Sequence, residues 1–474
     1  MAVVFDTARS RADKVPTPLL RAASPDRVIA WRDGRAVRAA EFLGEVAALA
    51  ARLPAAPAAI NLCEDRYAFL VAFAALATCG QTNLLPPSRA PHAVDEVLAA
   101  HPGAYTLGDT ELPAPPPHYV RFELLHAIAP DREDQKADIP VRTVQHAIAP
   151  DREDRKAGVD PDLTVAIGYT SGSTGVPKAN AKRWDKLAIS SAHNHALLTG
   201  LAGGSYTVVA TVPSQHMYGL EFSVLLPLFE DVAIHAAKPF FPGDVARALE
   251  EVPAPRVLVT TPVHLRALVE HGHALPPLAA IVSATAPMPP ELARDAEALF
   301  AAPVQEVFGS TETCVIAHRR TAIEECFTLY PGIALHPQPD GAQVDAPQLV
   351  QPVALADLVE GLEGGRFILR GRNADLLEIA GKRASLGDLT RRLLAVPGVR
   401  DGAVFQVDEA DRRGVQRIAA LAVAPGLTAG TILEALRQAI DPVFLPRPLK
   451  LVDALPRSET GKLPRSALLE ALRR

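Results

Sequence analysis

Residues 169–178, YTSGSTGVPK, concentrate groups able to hold an anion. Thr170, Ser171, Ser173 and Thr174 offer hydroxyls, while Gly172 and Gly175 let backbone amides approach a bound group and tolerate positive φ. Lys178 closes the stretch with a cation. The spacing is not that of a P-loop, which needs four residues between two glycines and a Gly-Lys-Ser/Thr ending. Here the two glycines stand three apart, and Val176 and Pro177 separate Gly175 from the lysine. Taken alone, these residues fit two readings: a phosphate grip of another kind, or a polar hairpin turn.

Further segments carry reactive groups, each with a plainer alternative. PSQHMYG (213–219) places His216 after an apolar run, and a lone histidine is more often structural than catalytic. SATAPMP (283–289) has small residues after a strand-like run, where a flat ligand could approach the backbone or the chain could simply turn. In EVFGSTET (306–313), Phe308, Gly309, Ser310, Thr311 and Glu312 set a carboxylate beside hydroxyls, a donor set for Mg²⁺ shared with phosphate, or an ordinary helix cap. Asp357 can accept two hydrogen bonds from a ribose diol, and Arg372 can fork onto phosphate or ribose oxygens. PRSETGK (456–462) ends in Lys462, which by itself is one surface lysine among many.

The elements that must position these groups are legible from periodicity. Short Val/Ile-rich runs at 163–167, 206–212, 255–261, 278–284 and 303–308 read as strands alternating with helices, which predicts α/β layers with parallel strands. Ligands bind at the carboxyl ends of such strands, and 163–167 delivers the hydroxyl-rich loop there. Beyond residue 371 the pattern changes. Helices are expected at 386–396 and 428–440, strands at 402–407, 416–423 and 449–452, and a short helix at the end, an α+β unit of ordinary domain size. The expected organisation is a large domain over 1–371, a hinge at 372–375 and a small mobile domain over 376–474.

The bulk composition narrows the partners. A chain of 474 residues exceeds what one core usually serves, so more than one domain is expected. Forty-eight basic against 54 acidic side chains leave a net charge of −6, with neither a nucleic-acid footprint nor a polybasic membrane signal. Cys63, Cys79, Cys314 and Cys326 lack zinc-site spacing and read as reduced thiols. With no secretory pattern at the N-terminus, a cytoplasmic protein is expected. The apolar stretch 67–80 is too short to span a membrane and reads as a buried helix. HAIAPDREDQKA (126–137) recurs almost unchanged at 146–157; a single pair does not build a solenoid, and the segment reads as a duplicated charged linker.

Taken in order, YTSGSTGVPK, PSQHMYG, SATAPMP, FGSTE, the Asp357 segment, GRNADLLEIAGKR and PRSETGK resemble the adenylate-forming superfamily of acyl- and aryl-CoA synthetases, luciferases and adenylation domains. The likeness runs from about residue 69 to the C-terminus. It implies ATP as a substrate, with its β- and γ-phosphates held by Thr170, Ser171, Gly172, Ser173, Thr174, Gly175 and Lys178. It implies Phe308 and Gly309 on one side of adenine, with Thr285, Ala286 and Pro287 on the other. Thr311 would touch the α-phosphate, Glu312 would bind Mg²⁺, and Asp357 with Arg372 would hold the ribose. Lys462 would reach the reacting carboxylate and α-phosphate, and His216 would gate the acid pocket. After adenylation the small domain would rotate, bringing the loop around Gly381 toward a tunnel for the thiol of CoA or of a phosphopantetheine acyl carrier protein.

Two departures mark this chain. The family's hinge Asp or Lys is replaced by Ala374, and the usual GE…G…GY segment gives way to HPQPDGAQVDAPQLVQPVALADL (336–358). The shortened form is most similar to stand-alone acid-activating ligases of aryl-polyene pigment clusters. The expected function is ATP-dependent activation of an aryl or medium acyl acid, then transfer to CoA or an acyl carrier protein. The alternatives are a fatty-acid ligase using free CoA, or a non-catalytic nucleotide-binding homologue.

Overall fold

A computed structural model of the chain describes residues 15–21, 24–124, 158–170, 178–338, 341–372, 376–379, 382–410, 416–458, 461 and 463–474. Ser171, Gly172, Ser173, Thr174 and Gly175, the repeat at 126–157, the hinge residues 373–375, Gly381 and Lys462 lie outside the described residues, as does the side chain of Arg372. The chain forms two compact units: residues 1–199 with 203–238 and 251–253, and residues 200–202 with 239–250 and 254–474. The second unit includes both sides of the expected 372–375 hinge.

In the first unit a six-stranded sheet runs Lys178–Arg183, Thr164–Thr170, Thr82–Leu85, Ala58–Asn61, Tyr105–Gly108, Tyr119–Arg121. Its inner strands are parallel, and Ala58–Asn61 and Tyr105–Gly108 are buried throughout, the signature of a sheet covered on both faces. The helix Arg66–Thr78 begins where Asp65 accepts from the Ala68 amide, and it is buried from Arg66 to Ala77. Its apolar character on all sides is therefore that of a core helix. No described helix is long and apolar enough to cross a membrane.

In the second unit the strands Arg256–Thr260, Ala280–Ser283 and Val304–Ser310 are parallel. The sheet continues antiparallel through Cys314–Arg320, Phe327–Leu329, Arg366–Arg372 and Asp357–Leu362. The helices Pro262–His271 and Pro290–Phe300 make the crossovers, and both carry proline in the first turn, where a missing N–H costs nothing.

The C-terminal part holds a three-stranded sheet of Asp401–Ala410, Gln416–Val423 and Leu449–Leu451. Alternation separates its two faces. Val404, Ile418, Ala420 and Ala422 pack on Leu389 and Leu393 of the helix Leu386–Leu394 and on Ile432 and Leu436 of Ala429–Ala439. Phe405, Ala419 and Leu421 pack on Leu468 of Arg465–Arg473. The helices and strands expected after residue 385 thus form one α+β body. All four cysteines are free thiols, Cys63 and Cys314 buried.

Candidate functional site

Thr170 and Lys178 are partners across an antiparallel pair of strands, so the loop they bound joins the ends of a hairpin. Just before it, the Tyr169 hydroxyl is hydrogen-bonded to Nε2 of His101. Burial pushes that hydroxyl up to about 12 and the His101 imidazole down, so both are neutral near pH 7 and brace the strand without adding charge.

His216 sits at the N-terminus of the short helix Met217–Leu220, which passes into a π-helical turn, Glu221–Leu225. Extra-wide turns of this kind recur at functional sites. The loop before His216 is fixed from below by the fully buried Arg66. Its guanidinium donates to the carbonyls of Ala210 and Val212 at 2.7 and 2.9 Å and to the hydroxyls of Ser214 and Ser223 at 3.3 and 2.5 Å. Gly219 is required by crowding, because a Cβ there would stand 2.0 Å from the Pro213 carbonyl oxygen.

In the second unit, Ser283 pairs with Glu306 on neighbouring parallel strands; Thr285 lies two residues beyond the end of the first, Ala280–Ser283, and Phe308 two residues further along the second, Val304–Ser310. Thr285 holds φ at +78°, a conformation that costs a β-branched residue free energy and marks a site where surrounding structure overrides local preference. Ala286 is partly buried and Pro287 exposed. The half-exposed Phe308 ring packs on Phe327 and Phe367, each at 5.6 Å between centroids, and those two stack at 5.5 Å. Arg319 lies 4.3 Å over Phe327 and is held by Glu306, whose other oxygen accepts from the Met288 amide. Glu306 therefore ties the loop carrying Thr285–Pro287 to the aromatic platform under Phe308.

Gly309 is required as well: a Cβ would meet the Cys314 carbonyl at 2.1 Å. After it, the Ser310 amide donates to Thr313 Oγ1 and the Thr313 amide to Ser310 Oγ, a reciprocal brace that leaves Thr311 and Glu312 half-exposed at the turn. Asp357, 6% exposed, stands directly across from Arg372 in the Asp357–Leu362/Arg366–Arg372 hairpin. Lys462 follows Gly461, which is buried with φ +78° against Thr261, Val263 and Thr285; a Cβ on it would lie 3.5 Å from Val263 Cγ2 and 3.9 Å from each threonine hydroxyl. The second unit thus brings Gly461, the residue before Lys462, against Thr261, Val263 and Thr285, just beyond the carboxyl ends of the parallel strands Arg256–Thr260 and Ala280–Ser283. Sequence patterns gave no sign of Arg66, Phe327, Phe367 or Arg319, and EVFGSTET gave none of what Glu306 holds, because these side chains meet partners from other segments.

A profile of the AMP-binding enzyme family matches residues 22–347, and one of the AMP-binding enzyme C-terminal domain matches residues 391–462. The chain belongs to the AMP-binding enzyme family. Within it, the chain is 33% identical over 306 residues to a 4-coumarate–CoA ligase of Rhodobacter capsulatus, covering 63% of this chain and 74% of that one. It is 27% identical over 137 residues to a fatty acid–[acyl-carrier-protein] ligase of Mycobacterium marinum, covering 26% of each. By fold it is similar to o-succinylbenzoate CoA synthetase from Bacillus subtilis in complex with its acyl-adenylate intermediate, with a TM-score of 0.73 at 18% identity over 94% of this chain and 96% of that one.

Proposed function

We propose that the chain is an ATP-dependent acid–thiol ligase that activates an aryl or medium acyl carboxylic acid as its adenylate and passes the acyl group to the thiol of CoA or of an acyl carrier protein. The family membership and the 4-coumarate–CoA ligase relative support an aryl acid and CoA; the carrier-protein ligase relative keeps the carrier as a second acceptor. Its strongest structural support is the seat of Gly461, which sets the residue before Lys462 against Thr285.

In the first step a carboxylate oxygen bonds to the α-phosphorus of ATP as the bond to the β-phosphate oxygen breaks, and pyrophosphate leaves. Two anions must meet, so the Lys462 ammonium lowers the barrier by neutralising charge and aligning the attack. In the second step a thiolate attacks the acyl carbon, and AMP leaves with the electron pair of the mixed-anhydride bond. Phe308, a ring braced at an angle by two others, is assigned to adenine, and Asp357 with Arg372 to the ribose. Thr170, Lys178 and the loop between them are assigned to the β- and γ-phosphates, and His216 to the acid pocket. Among the described residues no three His, Cys, Asp or Glu side chains cluster as a metal cage. Mg²⁺ in nucleotide sites binds through one or two carboxylates plus substrate phosphates. Glu312 with Thr311 would hold it, and it would supply neutralisation of phosphate charge.

The mobile-domain reading, with 1–371 as the large body, 372–375 as hinge and 376–474 as the small body, is part of this proposal. Acid-dependent exchange of labelled pyrophosphate into ATP, run over hydroxybenzoates, cinnamates and fatty acids, tests the first step. Exchange with aryl acids that disappears in Lys462→Ala is expected; no exchange with any acid would leave a nucleotide-binding homologue instead. AMP release with CoA against release only with a carrier protein then decides the acceptor, and a preference for fatty acids would replace the aryl reading.

A further inference from the structure

The guanidinium of Arg457 spends three of its donors on one purpose. Its Nε and Nη2 fork onto the carboxylate of Asp401 at 3.0 and 2.7 Å, and its Nη1 donates to the carbonyl of Gly461 at 2.8 Å. The Asp401 carboxylate opens the strand Asp401–Ala410, whose backbone is pinned in the three-stranded sheet. Arg457 and Asp401 are each less than one-fifth exposed. The turn itself closes through the Gly461 amide and the Ser458 carbonyl at 2.8 Å. Gly461 in turn rests against Thr261, Val263 and Thr285, at a backbone φ of +78° that glycine adopts without strain. An ion pair alone would end at the carboxylate. The third arm, onto the carbonyl next to Lys462, has no use in holding Asp401.

We propose that Asp401 and Arg457 are positioning residues for the adenylating step: the carboxylate orients the guanidinium, and the guanidinium fixes the Gly461 carbonyl so that Lys462 is delivered to the strand ends in one geometry. This rests on the ligase reading above. A lysine at 457 has three donors on one compact ammonium but no planar fork, so it cannot grip the carboxylate bidentately while holding the carbonyl in a fixed direction. The clamp belongs to the half-reaction that uses Lys462, so its loss separates the two steps.

The test compares the full-length protein with Arg457→Ala, Arg457→Lys and Asp401→Asn in two assays: acid-dependent pyrophosphate exchange, and transfer to thiol from a synthetic acyl-adenylate. Arg457→Ala should lose about 10- to 100-fold in exchange kcat, the scale of a misplaced reacting group. Its KM for ATP and its transfer rate should stay close to wild type. Arg457→Lys and Asp401→Asn should lose less, with the same split. Millimolar methylguanidinium should restore part of the exchange in Arg457→Ala and none in Lys462→Ala. Exchange at the wild-type rate in Arg457→Ala, or a proportionate loss in both assays at unchanged melting temperature, would overturn the clamp while leaving the ligase standing. If Arg457→Ala fails to fold, Asp401→Asn carries the same decision. A wild-type protein with no exchange on any acid overturns the ligase reading itself, and the clamp with it.

Discussion

At the scale of single residues, Phe308 shows how a side chain becomes a site. Its type is visible in EVFGSTET, but an aromatic at a strand end means little until Phe327 and Phe367 are seen behind it. Those rings come from segments 19 and 59 residues further on, and no local spacing links them. Two rings packed at an angle against it hold Phe308 in place, and the proposed function assigns adenine to this ring. Phe308→Ala should raise KM for ATP by up to about tenfold, the range of an aromatic contact. Phe308→Tyr should change it little, and steady-state kinetics in varied ATP decides between them. An unchanged KM in the alanine variant would remove adenine from this face.

At the scale of elements, the predicted strands and helices formed close to where periodicity placed them, because each is amphipathic or fully apolar in the pattern its layer demands. The 206–212 run forms Tyr206–Ala210, and the strand expected at 416–423 forms with those bounds. What periodicity could not show is how elements are locked to each other. Glu297, on the helix Pro290–Phe300, accepts from Arg320 at 3.0 and 2.7 Å and from the Val304 amide at 2.9 Å, joining the helix to two strands. Burial alone would raise its carboxyl, and these hydrogen bonds outweigh burial, leaving it below its ordinary value. A depressed folded value gives stability that is complete above the ordinary glutamate range and drains away as pH falls through the folded value. Glu297→Gln should therefore lower the melting temperature at pH 7 and flatten its dependence on pH below the ordinary glutamate range. Equal slopes for variant and wild type would contradict this. Gly309→Ala presses a methyl to 2.1 Å from the Cys314 carbonyl, so backbone must move. A loss of about 1–3 kcal/mol in urea unfolding is expected, and native-like stability would show the hairpin to be less tightly closed.

At the scale of the whole molecule, the proposed reaction asks one chain to present Lys462 in the first step and a different loop in the second. Such a scheme needs a hinge, and the proposed function takes residues 372–375, Ala374 among them, as that hinge. Proline fixes φ near −65° and removes an amide donor. Ala374→Pro is expected to leave pyrophosphate exchange within a few-fold of wild type and to suppress thiol transfer from a synthetic acyl-adenylate. Parallel retention of both activities would argue against rotation about this point.

The order of the reactive segments, from the hydroxyl-rich loop to PRSETGK, was enough to mark the family, since seven short segments in sequence constrain the chain far more than any one of them. The alternation of strands and helices was likewise written in the residues, because burial on one face or two leaves a periodic trace. Tertiary structure alone decided which partners hold the reactive groups. The three-ring platform, the Glu306 link between neighbouring loops, Arg66 beneath the His216 loop and the fork of Arg457 on Asp401 all join residues distant in sequence. Such contacts are fixed by packing and hydrogen-bond geometry in three dimensions, and neither leaves a local pattern in the chain.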